Sequence, residues 1–591
     1  MKRSRKFAIL AFVSILLAGL AIATGAAQQP AASLQGIVVE AGSTVPVSRA
    51  TVELTRIGVP GSEVTRTDSE GRFFLPNTSP GQYRLVVSHS GHVKAEYGQL
   101  RPGSPGNPLV LTAGQHVDNV RIEMTRGGSI SGHITDNGRP VGLSDAVVFR
   151  GVFIEGQLSL SLVSAGRADD TGEYHLFWLP PGRYYLAAII WETASAAGWT
   201  INPEGVDTAF FAQRQVSRNI FMRTTAGGVS ETEAHIPVFY GGSSDPLLAT
   251  VIDVQPGSDF RGMDIEAGPL PTRHVKGTVV GIPAAIPGQP PIRVSVNMRS
   301  LMGTLNTNSA QSPNANAETN GVFDITRVVP GRYVLNASAG NLSGRTVVEV
   351  RDRDLTNISV SLMPGFTVTG RVIIERTGAT GPDPALSSLR IGLRTDPLIP
   401  GATNYTAIVQ PDGSFAIPSS VPNAAAASAG PIAGDYRVLV NPILTPPTAP
   451  EASVQALPPQ LQSLYVKSIR MGDVDVLNDP LRLTSQPSDQ LVIVIGTNPG
   501  SLSGKAVPGS TVVLIHDSPL RYRVNEKTAI ADPAGNFAFA NVPPGNYKAF
   551  AWEFVERGAW GDVNFMRSQE ERGVPVHVDE GKSSTIDSKL N

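Results

Sequence analysis

"DPAGNFAFANVPPGNYKAFAW", residues 532–552, reads as a turn, a strand, a second turn and a second strand. The chain writes nearly this phrase five times: "EGRFFLPNTSPGQYRL" at 70–85, "TGEYHLFWLPPGRYYL" at 171–186, "NGVFDITRVVPGRYVL" at 320–335, and a copy at 412–439 stretched by "NAAAASAGPIA". Two Gly-x-aromatic triplets anchor every copy. The first begin at Gly71, Gly172, Gly321, Gly413 and Gly535 and end on Phe73, Tyr174, Phe323, Phe415 and Phe537. The second begin at Gly81, Gly182, Gly331, Gly434 and Gly545 and end on Tyr83, Tyr184, Tyr333, Tyr436 and Tyr547. In four copies the two aromatics stand ten positions apart, the mark of one supersecondary unit used repeatedly.

The chemistry of the phrase predicts its shape. An Asp three residues before the first Gly (Asp68, Asp169, Asp532) closes an Asx-type turn, and the Gly takes the positive φ that a tight turn needs. Alternation such as Phe73-x-Leu75 marks a half-buried strand, and Pro-Gly pairs such as Pro544-Gly545 make the next turn. Upstream lies an entry strand with Gly between apolar positions, as in "LQGIV", "ISGHI", "VKGTV", "VTGRV" and "LSGKA". A closing strand such as "VDNVRIEM" precedes the next entry strand. The census is about seven short strands per module, that of an antiparallel Greek-key β-sandwich.

On this count the domains are β-sandwiches at 28–126, 127–267, 268–362, 363–496 and 497–591, with long loop insertions in the second and fourth. A chain of 591 residues is too long for one core, which agrees with several domains. Short junctions such as "RGGSISG" are compatible with modules joined end to end as a semi-rigid rod.

Composition narrows the function classes. Gly 60 and Pro 47 with 17% charged residues describe a turn-rich β protein. A net charge of −2 with scattered basic residues lacks the electrostatic footprint of a nucleic-acid binder. Lys2, Arg3, Arg5 and Lys6 precede the apolar run "FAILAFVSILLAGLAIA", and Gly25 and Ala27 occupy the small-residue positions before "QQP"; residues 1–27 are therefore expected to be a secretory signal peptide, with retention of the run as an uncleaved anchor as the alternative. After cleavage no transmembrane domain is expected, which makes the protein periplasmic, surface-bound or secreted. The absence of cysteine means that each module must be stable on its core alone.

The ordered pattern G-x-h … P-x-x-A-x-V-x-L … D-x-x-G-x-F … P-P-G-x-Y-x-L resembles the carboxypeptidase regulatory-like domain. That domain is a transthyretin-like (prealbumin-like), carbohydrate-binding-like β-sandwich used as an accessory module in exported bacterial proteins. Together with "EYGQLRPGSPG", "VFYGGSSDP" and "AWEFVERGAW", it is also similar to multi-repeat exported proteins of acidobacterial type. The resemblance implies an accessory, non-catalytic chain, because neither a zinc carboxypeptidase domain nor a barrel accompanies the repeats.

No catalytic constellation stands out. His577 and Glu580 have the spacing of a His-x-x-Glu zinc pair, yet strand alternation aims them to opposite faces. There is no HExxH, Gly-x-Ser-x-Gly or P-loop motif, so no catalytic residue, metal or cofactor is expected. The repeated Phe and Tyr are expected in the core. The tryptophans differ, since all five lie in modules 2 and 5 and the other modules fold without them. Loop-borne aromatics favour ligand surfaces. Trp552, Glu553 and Trp560 in "AWEFVERGAW", with Trp191 and Trp199, are therefore the candidate ligand-binding residues. The expected partner is a polysaccharide or an envelope protein; the alternative function is a structural or adhesive spacer without glycan binding.

Overall fold

A computed structural model describes residues 30–104, 106–142, 144–154, 157–190, 200–201, 232–284, 292–301, 307–308, 314–375, 385–399, 404–421, 428–442, 461, 463–517 and 526–590. The expected signal peptide and the candidates Trp191 and Trp199 lie outside these residues. The chain divides into two compact units, Met1–Arg126 and Gly127–Asn591. The first contains one two-sheet module, and the second contains the other four copies.

Module 1 displays the common plan. Its entry strand Ala32–Glu40 lies between Arg72–Thr78, antiparallel, and the closing strand His116–Met124, parallel. In the facing sheet Thr51–Arg56 pairs with Ser62–Arg66 and with Gly81–Ser88, the strand led by the second-triplet Tyr. The entry strands Gly128–Asp136, Arg273–Val280, Val368–Ile374 and Gly500–Ala506 repeat the arrangement of antiparallel pairing on one edge and parallel pairing on the other, Gly128–Asp136 with two partners of each kind. The fold is all-β sandwich, and the parallel pair of first and last strands is a detail that alternation cannot reveal. Part of the expected loop insertion of module 4 is itself strand, since Tyr465–Met471 adds to the edge of the closing strand Leu491–Gly496. Among the described residues no helix is long and apolar enough to cross a membrane.

Strand alternation puts one side of each sheet inside, and a separate apolar cluster fills each module. All ten repeat aromatics are buried, from Phe73 to Tyr547, as expected of core residues. The turn chemistry is also formed. Gly71, Gly172, Gly321, Gly413 and Gly535 have φ of 74°, 78°, 87°, 86° and 80°. Asp532 Oδ1 accepts from the backbone N–H of Ala534 (2.9 Å) and Asn536 (2.7 Å), and Asp68 and Asp169 act alike.

Two features of the repeat acquire a reason only in three dimensions. The entry-strand glycine lies beneath the first-triplet ring and against the closing strand: a Cβ on Gly277 would stand 2.1 Å from Ile358 O and 2.6 Å from the Phe323 ring. Any side chain there would force the two strands apart. The second aromatic is always Tyr because its hydroxyl donates to the carbonyl four residues upstream. Those acceptors are Ser79, Pro180, Val329, Ile432 and Pro543. Such a tyrosine corner pins the turn onto the core, which Phe could not do.

Candidate functional site

The candidate tryptophans of module 5 are not presented to solvent. Trp552 and Trp560 are 7% and 5% exposed and cluster with Val513, Ile515, Phe550 and Met566. Trp552 stacks on Phe550 with the ring planes 2° apart, and its indole N–H donates to Gln569 Oε1 at 3.1 Å. The expectation of an exposed stacking pair is thus corrected, and the cause is local. In the strand Thr511–His516, Val512 and Leu514 enter the sandwich core while Val513 and Ile515 point outward, so both faces need cover. The segment after Trp552, with its short helix Val563–Arg567, supplies the outer cover. Glu553, alone among the described candidates, is exposed.

Module 2 has the same two-faced strand: Val147 and Phe149 of Asp145–Ile154 sit in an apolar layer separate from the sandwich core. The two modules meet there, because the backbone N–H of Phe153 donates to Arg557 O at 2.7 Å. Modules that are not sequence neighbours are therefore in contact, which corrects the expectation of a simple end-to-end series.

The open face of module 2's other sheet has the groove that the sequence reading did not name. It has a volume of about 570 Å³ and runs over the outward residues of Gly128–Asp136 and Glu173–Leu179 and the closing segment 259–264. Its apolar element is Phe177, 48% exposed, with the His175 ring parallel to it at a centroid distance of 5.7 Å. Beside Phe177, Trp178 is 43% exposed and holds φ at 56°. The register explains both exposures: Leu176 pairs with Ile130 and Leu179 with Gly128, so Phe177 and Trp178 together oppose Ser129 in a β-bulge. A bulge re-aims side chains, and left-handed φ is an unusual backbone state for a bulky residue. Arg327 and Asn541 hold the equivalent left-handed positions in modules 3 and 5, so the bulge belongs to the shared fold and the tryptophan to module 2.

The polar groups around the ring are mutually paired. His133 Nδ1 lies 3.3 Å from Asp264 Oδ1, His175 Nε2 2.9 Å from Glu173 Oε1, and Arg261 Nε donates to Asp259 Oδ2 at 2.7 Å. The Ser129 hydroxyl and the Arg261 guanidinium hold the Asp259 carboxyl below its usual range. A second bulge places the closing residues: its two short strands pair at Asp259–Phe260 and Ile265–Glu266, while Gly262, at φ 65°, turns the chain between them. The groove therefore offers one exposed ring stack amid planar hydrogen-bonding groups, three carboxylates and one guanidinium among them. Among the described residues no group of His, Asp and Glu could hold a metal ion.

A signal for this face was present in the repeat itself. The outward positions that hold His175 and Phe177 in module 2 hold Ala538 and Ala540 in module 5. Comparing copies at outward positions, instead of searching loops for tryptophan, would have found it.

Comparison with known proteins bears on the fold. Residues 33–125 match the carboxypeptidase regulatory-like domain. That match spans the first module and stops one residue short of the boundary between the two compact units. No curated protein matches the sequence. Among solved structures, the Bacillus anthracis TIE protein aligns at 10% identity over 56% of this chain, with a TM-score of 0.15; the chain spans 51% of that protein. The full-length major pilin RrgB of Streptococcus pneumoniae aligns at 9% identity over 94% of this chain and 99% of its own, with a TM-score of 0.19. The minor pilin GBS52 of Streptococcus agalactiae aligns at 10% identity over 44% of this chain and 99% of its own, also at 0.19.

Proposed function

We propose that the protein is an exported, non-enzymatic binding protein of the cell envelope whose ligand is a carbohydrate, held on the open face of module 2. The observation that carries this reading is the exposed Phe177–His175 stack within a groove of paired His, Asp, Glu, Arg and Ser side chains. A sugar ring has an apolar C–H face for the aromatic ring and equatorial hydroxyls for planar donors and acceptors, so it matches both halves of the groove. An acidic ligand fits less well, because Glu173, Asp259 and Asp264 line the groove against the single guanidinium of Arg261. Export is supported by the basic and apolar N-terminal segment, and the accessory role by the match of residues 33–125.

The test is a glycan array probed with the full chain and with a His175→Ala, Phe177→Ala double variant. Both residues are exposed, so the variant is expected to keep its circular dichroism spectrum while losing affinity by about two- to tenfold, the size of an aromatic contact of about 0.5–1.5 kcal/mol. Absence of any glycan signal, with an envelope protein co-purifying instead, would sink the carbohydrate reading in favour of a spacer or adhesive role.

A further inference from the structure

Module 5 docks on module 2 through one short segment, and a single carboxylate is buried in the contact. Around the backbone hydrogen bond from Phe153 to Arg557, the fit is close: a Cβ on Gly558, whose φ is 78°, would stand 2.0 Å from Phe153 O. One residue earlier in the chain, the Glu556 carboxyl reaches over module 2, where a Cβ on Gly151 would be 3.2 Å from it. The Glu556 side chain is only 9% exposed. Among the described residues its Oε1 has no hydrogen-bond donor, and Arg183 Nη1 stands 3.8 Å away. A carboxylate in this position is partly stripped of water, and its Oε1 receives no hydrogen bond that would compensate, which favours the neutral form.

We propose that residues 553–560 form a clasp closing modules 2 to 5 into a ring, and that ionisation of Glu556 loosens it. The modules follow one another in the chain from 2 to 5, so contact between the last and the first closes the loop. Among the described residues the groups facing Glu556 are few. From strand Gly182–Ile189 come Arg183, which attracts the carboxylate, and Tyr185, whose hydroxyl burial and the neighbouring carboxyl both keep protonated. Strand Asp145–Ile154 offers Gly151 and strand Gln157–Arg167 offers Leu158, neither of which carries charge. Arg150 of the former strand turns to the opposite side, where its guanidinium donates to Tyr184 Oη. The clasp's own exposed Glu553 and Arg557 remain in solvent.

The direction of the effect follows from burial. Desolvation raises the Glu556 carboxyl above its ordinary value, and Arg183 opposes this more weakly. A group whose pKa is raised by docking binds its proton better in the docked state, so the contribution is complete below the undocked pKa and is lost as pH rises through the docked one. Acid therefore closes the clasp. The backbone bond from Phe153 does not titrate and holds the register in both conditions.

Because the chain has no cysteine, spin labels can be placed cleanly on Arg139→Cys in module 2 and Arg567→Cys in module 5, both exposed positions. Dipolar distance measurements on the full chain at about pH 5 and about pH 8 read the closed and open populations. A single compact distance is expected in acid, with a longer component growing by up to about tenfold in open-to-closed ratio per pH unit within the titration window. Glu556→Gln, close in shape and never charged, should remain closed at both pH values. A distance distribution that does not change with pH overturns the proposal, as does a Gln variant that opens as far as the parent.

Discussion

The tyrosine corners allow a quantitative contrast between two copies of one motif. In module 4 the Tyr436 hydroxyl donates to Ile432 O at 2.8 Å and also accepts from Ile432 N–H at 3.1 Å, and both residues are buried. Tyr436→Phe keeps the ring and the Arg345 guanidinium over it, but it removes the partner of two buried backbone groups at once. Each orphaned group costs about 1–3 kcal/mol, so the total is about 2–6 kcal/mol. In module 1 the Tyr83 hydroxyl makes a single bond to the carbonyl of Ser79, an exposed residue that water can reach. Tyr83→Phe should cost only about 0.5–1.5 kcal/mol. Native-state hydrogen exchange is the right assay, since a chain of several cores does not unfold in one step. Amides of strand Gly434–Pro442 should exchange about thirtyfold to over about ten-thousandfold faster in Tyr436→Phe, against about two- to tenfold for Gly81–Ser88 in Tyr83→Phe. If the module 4 variant is no more perturbed than the module 1 variant, the argument from buried backbone partners is wrong.

Three further outcomes follow from the same geometry. Trp552→Ala removes a buried ring and its bond to Gln569, and should lower module 5's stability by about 3–5 kcal/mol in calorimetry while leaving glycan binding in place. A near-neutral result would show that the outer apolar layer is loosely packed. Trp178→Asn puts a residue tolerant of left-handed φ at 56° and should stabilise module 2 by up to about 1 kcal/mol; a loss of stability would place the indole among the packing residues. The Asp532 carboxyl is held below its usual range, chiefly by the N–H of Asn536. Its contribution is therefore present above the unfolded value and lost as pH falls through the folded one, so Asp532→Ala should flatten the acid limb of module 5's unfolding between about pH 5 and pH 2; an unchanged limb would remove the turn from the account of acid stability.

Much of the fold was legible because its determinants are local. Turn glycines, an Asp three residues earlier and alternation of period two depend only on residues within a few positions of one another, and they recur in every copy. The long apolar runs "VVLI" and "AVVF" were equally visible, where module 1 alternates as "TVELTR". They signalled strands covered on both faces, and with that signal used, Trp552 and Trp560 would have been assigned to the outer layer instead of to a ligand.

What the amino-acid order determined by itself is the module: where its strands lie, which residues turn the chain, and which rings enter the core. Tertiary structure alone decided the rest. Whether a tryptophan is cover or platform depends on what the facing segment brings to it, and segment 553–572 brings a lid. The groove unites residues about 130 positions apart, such as His133 and Asp264, through a parallel strand pairing that leaves no periodic trace. The contact of module 5 with module 2 rests on the absence of side chains at Gly151 and Gly558, and only the packed chain shows what those glycines leave room for.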